Sequence, residues 1–144
     1  MSEENLRIIF ARLSHSLYEI TSDEDSNYNC IAWAAGDDQE WWWPDVDSYW
    51  PPGIPRQETI DGFVMAFETL GYTLCQDGIY QEGFIKIAIF ADEDGIPTHA
   101  ARQLPNGIWT SKCGELEDID HDLNALGGPE PAYGNIVRFM KKLV

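Results

Sequence analysis

Apolar positions in this chain recur with two periods, and the change from one to the other divides it. Over residues 4–13, Leu6, Ile9, Phe10 and Leu13 return every three or four positions, which lays one apolar stripe on a helix. Residues 59–70 repeat the pattern with Ile60, Phe63, Val64, Phe67 and Leu70, and Gly71 supplies a stop. Residues 14–29 between them are polar and read as an approach loop. That loop gives way abruptly to Cys30-Ile31-Ala32-Trp33-Ala34-Ala35, a short helix with Asn27 or Asn29 as its N-cap, Cys30 in its first turn and Gly36 as its end. Residues 37–56 hold Trp41-Trp42-Trp43-Pro44 and Tyr49-Trp50-Pro51-Pro52-Gly53. Their prolines exclude regular structure and predict an ordered loop, one able to cap a core or wall a groove.

After Gly71 the period shortens. Residues 72–75 and 79–80 are short strand candidates, and residues 84–90 are the best strand of the chain. Asp94-Gly95 predicts a two-residue turn into a partner strand over 98–104. Pro105-Asn106-Gly107 predicts a second turn, into a strand over 108–113. Residues 118–126 are expected as a short helix closed by Gly127-Gly128-Pro129, and residues 135–140 as the last strand. Helices followed by an antiparallel meander define an α+β class. Repeats, low-complexity tracts and linkers are absent from the sequence, so residues 1–144 read as a single domain.

Charge narrows the range of partners. Nine Lys and Arg stand against 25 Asp and Glu, a net charge of −16. No basic patch can be built from that balance, which argues against nucleic acid and anionic membrane as partners. A basic protein partner stays open, and so does plain solubility. Three widely separated cysteines do not make a disulfide framework, and the run Met1-Ser2-Glu3-Glu4-Asn5 lacks the basic and long apolar parts of a leader. No stretch is apolar enough to span a membrane. A reducing cytoplasm is the expected setting.

The candidate chemistry begins at Cys30. In the first turn of a helix, unpaired N–H groups and the helix dipole favour a thiolate, although packing a helix start is the commoner use of a free cysteine. Hairpin geometry supplies a partner. With a turn at Asp94-Gly95, His99 faces Phe90, and Lys86, Ala88 and Phe90 share a sheet face with His99, Ala101 and Gln103. With a three-residue turn at 105–107, His99 lies near Ser111 and Cys113; a bulge would bring Lys112 round instead. A cysteine at a helix start followed by a histidine in a meander is the order expected for Cys/His nucleophilic catalysis. The competing role for His99 is a satisfied, half-buried strand histidine. Cys30, Cys75, Cys113, His99 and His121 lack the close-spaced pairs of zinc sites, Asp92-Glu93-Asp94 lacks the distal Glu of a calcium loop, and no glycine-rich phosphate loop is present. No metal or cofactor is expected.

Tyr28-Asn29-Cys30-Ile31-Ala32-Trp33 resembles the nucleophile segment of papain-like folds, especially NlpC-like endopeptidases, in which Tyr-x-Cys starts the helix. Lys86-Ile87-Ala88-Ile89-Phe90, a turn and Thr98-His99-Ala100 are similar to their two central strands. Over roughly residues 20–140 the chain also resembles an uncharacterised bacterial family with Asn29-Cys30-Ile31-Ala32-Trp33-Ala34, Thr98-His99-Ala100-Ala101-Arg102-Gln103-Leu104 and Trp109-Thr110-Ser111-Lys112. The papain-like resemblance implies N-terminal helices, with Cys at a helix start, packed on an antiparallel meander. It implies a cysteine hydrolase or acyltransferase acting on an amide or ester. The NlpC-like base position is Lys86 here, and the third polar position is matched by His99. Two expectations follow. Either Cys30 is the nucleophile, His99 the base and Ser111 or Lys112 the third member, with Asn29, Trp42, Trp43, Trp50 and Lys86 around a peptide or small-molecule substrate. Or the scaffold is degenerate, and the chain is a non-catalytic acidic interaction protein, an inhibitor or immunity-type binder of a basic partner.

Overall fold

The computed structural model describes residues 3–16, 18–113, 117–129 and 132–144; Met1 and Ser2 of the polar N-terminal run and Leu17 of the approach loop lie outside them. The architecture is mostly β with some helix. Among the described residues, three α-helices, α1 (Glu3–Ile9), α2 (Cys30–Ala35) and α3 (Ile60–Glu68), accompany seven strands. These are β1 (Tyr18–Ile20), β2 (Thr73–Cys75), β3 (Phe84–Ala91), β4 (Pro97–Gln103), β5 (Trp109–Lys112), β6 (Asp118–His121) and β7 (Asn135–Leu143). They form one antiparallel sheet in the order β1-β6-β5-β4-β3-β7-β2.

Local chemistry accounts for most boundaries. Asn29 caps α2 by accepting from the Ala32 N–H, and Gly36 ends it in the left-handed region at φ 87°. Thr59 caps α3 through the Gly62 N–H, so the expected helix over 59–70 is present, one residue shorter at its start and two at its end. The expected single helix over 4–13 stops at Ile9. Phe10 leaves helical geometry and a 3-10 turn follows over Ala11–His15. Leu6, Phe10 and Leu13 nevertheless stay buried together, because a three-residue step also keeps one face.

Long-range pairing overrides local pattern at three places. The helix expected over 118–126 is instead strand β6 followed by turns, because β1 and β5 flank it and leave Ile119 and His121 pointing to one face. Tyr18-Glu19-Ile20, read as loop, pairs with that same strand. Residues 79–80 carry no strand, since β7 takes the place between β2 and β3. The start of β7 also crosses so close to β3 that a Cβ at Gly134, which has φ 84°, would collide with the Ala91 carbonyl oxygen.

Register sorts side chains onto two faces. Pairs Ile89–Ala100, Ile87–Arg102, Arg102–Thr110 and Lys112–Asp118 face α2 and α3. There Ile31, Phe63, Phe67, Ile87 and Ile89 are buried in one core with Trp42 and Trp50. Pairs Phe90–His99, Ala88–Ala101, Gln103–Trp109 and Trp109–His121 take the other face, which the α1 segment and Tyr133 help to cover. The Phe90–His99 pairing is the one the hairpin geometry predicts. It arises from two departures that cancel: the loop is closed by Asp92 and Ile96 rather than by Glu93 and Ile96, and a bulge beside Ala91 restores the phase.

Candidate functional site

Cys30 is the first residue of α2, and α2 packs on both β4 and β5. Those two strands pair at Gln103–Trp109 and Arg102–Thr110. From there β4 runs back to Pro97 alongside β3, and β5 runs on to Lys112 alongside β6. The Cys30 thiol donates to the Thr98 carbonyl oxygen at 4.0 Å, and its sulfur faces the backbone N–H groups of Ala100, Ile31 and Cys30 itself. It therefore touches the peptide groups on both sides of His99. Burial pushes the thiol up to about 11, against the opposing pull of those N–H groups and the Lys112 ammonium.

The His99 ring leaves the strand on the face away from α2. It stacks on Tyr133 with centroids 4.0 Å apart and planes 5° off parallel, and meets Phe90 edge-on. His99 Nε2 lies 2.9 Å from Ser111 Oγ, which lies 2.7 Å from His121 Nε2. His121 Nδ1 in turn lies 2.7 Å from the Asp122 carbonyl oxygen. These three side chains are at most 1% exposed. Burial, with the His121 charge second, holds His99 well below the ordinary imidazole value, and burial also lowers His121. His99 Nδ1 has no hydrogen-bond partner among the described residues. Gln103 Oε1, Glu117 Oε1 and Asp118 Oδ1 are likewise buried without a partner among the described residues, but His99 Nδ1 is the one that belongs to this chain of side chains.

The mouth of the site is a groove of about 280 Å³ lined by Asn29, Cys30, Trp41, Trp43, Thr98 and Tyr133. Asn29 builds its rim. Besides capping α2, its Nδ2 donates to the Trp42 carbonyl at 2.7 Å and its Oδ1 accepts the Trp42 N–H at 3.0 Å. Those bonds fix the 41–43 segment, so that Trp41 and Trp43 face the groove while Trp42 turns into the core.

Several expected positions are corrected by this geometry. Trp42 and Trp50 are core residues: the Trp42 indole donates to Asp37, and Trp50 packs on Phe63. Lys86 does not stand beside Cys30, because strand alternation turns it to the opposite face, where it pairs with Asp77 at 3.0 Å. Lys112 projects to the α2 face over the Tyr28 ring, next to a Tyr28–Asp118 hydrogen bond of 2.6 Å. Between Ser111 and Lys112, then, Ser111 is the residue that meets His99. Desolvation raises the Asp118 carboxyl and lowers the Lys112 ammonium in that neighbouring cluster. His121 and Tyr133 join the site from outside the expected set, whereas Trp41 begins the loop expected to wall a groove and does line this one. His121 is signalled by the period-two run Asp118-Ile119-Asp120-His121, which pairs it opposite Trp109; Tyr133 sits in an irregular segment that carries no such signal.

Among the described residues, no helix is long and apolar enough to cross a membrane, and no group of three or more His, Cys, Asp or Glu is arranged to hold a metal ion. No curated protein and no solved structure matches the chain. Residues 19–141 match one family model, and the chain belongs to that family, described as Domain of unknown function (DUF7689).

Proposed function

We propose that the Cys30 groove is the acylation site of a cysteine hydrolase or acyltransferase, on a papain-like arrangement of a short cysteine-bearing helix against an antiparallel sheet. One observation carries this proposal. The Cys30 sulfur contacts both peptide groups flanking His99, a histidine whose Nε2 is engaged by Ser111 while its Nδ1 is unpartnered. The structure holds no hydrogen bond between the Cys30 sulfur and His99 Nδ1, and the reaction requires the thiol proton to pass to that nitrogen as sulfur bonds to the acyl carbon of an amide or ester. The C–N or C–O bond then breaks, and the leaving amine or alcohol takes the proton from His99. Water, or an acceptor nucleophile, cleaves the thioester with His99 again as base. The N–H groups of Cys30, Ile31 and Ala100 already face the sulfur and are the nearest donors for the developing oxyanion.

A thiol pushed up and an imidazole held low are both neutral at rest. Proton transfer therefore accompanies attack, in place of a preformed thiolate–imidazolium pair. Trp41, Trp43 and Tyr133 favour an acyl group with an apolar or aromatic flank. The test uses a p-nitrophenyl ester and intact-mass analysis of the full chain. One acyl adduct on Cys30, formed with turnover and lost in both Cys30→Ala and His99→Ala, is expected. No adduct on Cys30, or one that forms equally well in His99→Ala, overturns the proposal.

The net charge of −16 favours a second reading, an acidic binder of a basic protein on a degenerate form of the same scaffold. It predicts salt-sensitive binding to a basic partner that survives Cys30→Ala.

A further inference from the structure

We infer that His121 is a positioning residue that acts through Ser111 to fix the tautomer of His99, leaving Nδ1 of His99 as the bare, proton-accepting nitrogen. This rests on the proposed Cys30 chemistry, but the hydrogen-bond directions come from the donors and acceptors alone.

The chain of bonds has a single consistent direction. A carbonyl oxygen only accepts, so the 2.7 Å contact with Asp122 requires the proton on His121 Nδ1. In the neutral ring, His121 Nε2 is then a lone pair and accepts the Ser111 hydroxyl at 2.7 Å. That hydroxyl has one proton, already given, so toward His99 it is an acceptor. His99 Nε2 must therefore carry the proton at 2.9 Å, and the lone pair of the neutral His99 ring is on Nδ1. The ring cannot easily rotate to exchange its nitrogens, because Tyr133 covers one face and Phe90 meets it edge-on. Burial keeps both rings neutral, which preserves the direction. The unpartnered nitrogen is the one left over by this chain. A polar chain that served stability alone would have no need to end in an unpaired acceptor, which costs free energy when buried.

The experiment reads the tautomer directly, in histidine-¹⁵N-labelled full-length protein, from long-range ¹H–¹⁵N correlations. In the native chain, His99 is expected with a protonated Nε2 and a bare Nδ1, and His121 with a protonated Nδ1 and a bare Nε2. His121→Ala, which leaves His99 and Cys30 in place, is expected to give His99 a mixed tautomer and to slow Cys30 acylation at least roughly tenfold, since a wrong tautomer cannot take the thiol proton. His121→Gln retains an amide oxygen able to accept from Ser111 and is expected to restore both readouts. A native His99 protonated on Nδ1 overturns the inference without recourse to any variant. So does a His121→Ala protein whose His99 signals and Cys30 acylation are unchanged. The expected tautomer together with no His99-dependent acylation would sink the hydrolase instead, leaving the tautomer lock standing.

Discussion

The two faces of the sheet are built on opposite principles, although they share β4. The α2 face is a packing problem: Ile31, Phe63, Phe67, Ile87 and Ile89 fill it, and Trp42 and Trp50 close it. The opposite face spends the same central strands on a buried polar chain, His99, Ser111 and His121, with Ala88, Ala101, Phe90 and Trp109 around it. Cys30 belongs to the first face by packing and to the second by contact, since its sulfur reaches the peptide groups around His99. Packing on one side thus holds Cys30 still, while the other side carries the hydrogen-bonded chain of His99, Ser111 and His121.

This division is open to attack from both sides, beginning with the packing. Phe63 contacts Trp43 and Trp50 edge-on or tilted and is fully buried. Phe63→Ala should cost about 3–5 kcal/mol of unfolding free energy in urea titrations, the usual range for a buried aromatic truncation. The His99 ring signals should stay where they are, because the cavity lies on the other face; a shifted His99 tautomer would mean the faces are coupled through the strand. Asn29→Ala comes next. It removes the α2 cap and leaves the Trp42 N–H and carbonyl without their partner. A loss of about 2–4 kcal/mol is expected, together with faster proteolysis of the 37–56 loop.

The polar face makes its own contribution to stability, and its sign follows from the shifts. Both His99 and His121 are held below the ordinary imidazole value, so between the folded and unfolded values the unfolded chain binds more protons. Their stabilisation is complete above about pH 6.5 and is lost as the pH falls below it. Below that pH the unfolding free energy should fall steadily, measured as the urea midpoint against pH. His121→Gln removes one titrating group and should flatten that dependence by its share. A dependence that is unchanged in His121→Gln would show that the ring is not kept neutral by burial.

How far the sequence could reveal this division depends on where the decisive information was local. The α2 helix was legible because its end has a local signal in Gly36 and its start has two, Asn27 and Asn29, of which Asn29 is the cap. The Phe90–His99 pairing and the His99–Ser111 contact followed from turn lengths, and both are present. Which face His99 takes relative to Cys30 was not legible. That depends on which side of the sheet α2 packs, and strand alternation fixes only relative faces. Lys86 was misplaced beside Cys30 for this reason. Strand β6 was missed because its partners, β1 and β5, lie roughly a hundred residues and ten residues away in the chain, and the acidic run Asp118-Ile119-Asp120 mimics a helix start. His121 entered the site only with that strand.

The three consecutive tryptophans reproduce the contrast at the scale of one tripeptide, and they permit the smallest and most discriminating test. Trp42 is 6% exposed and packs within the α2-face core, whereas Trp41 and Trp43 line the groove. Trp41 is partly exposed, and its backbone carbonyl, which survives any substitution, accepts the Tyr49 N–H at 3.0 Å. Trp41→Ala should therefore change unfolding free energy by no more than about 0.5 kcal/mol, as surface substitutions do. If the groove receives an apolar acyl flank, the same variant should raise KM for an aromatic ester while leaving kcat nearly as it was, because the lost contact is equally present in ground and transition states. A small acetyl ester, too short to reach Trp41, should not distinguish the variant from the native chain. Equal effects on both esters would place Trp41 outside the path of the acyl group, and a large loss of stability would return it to the core beside Trp42.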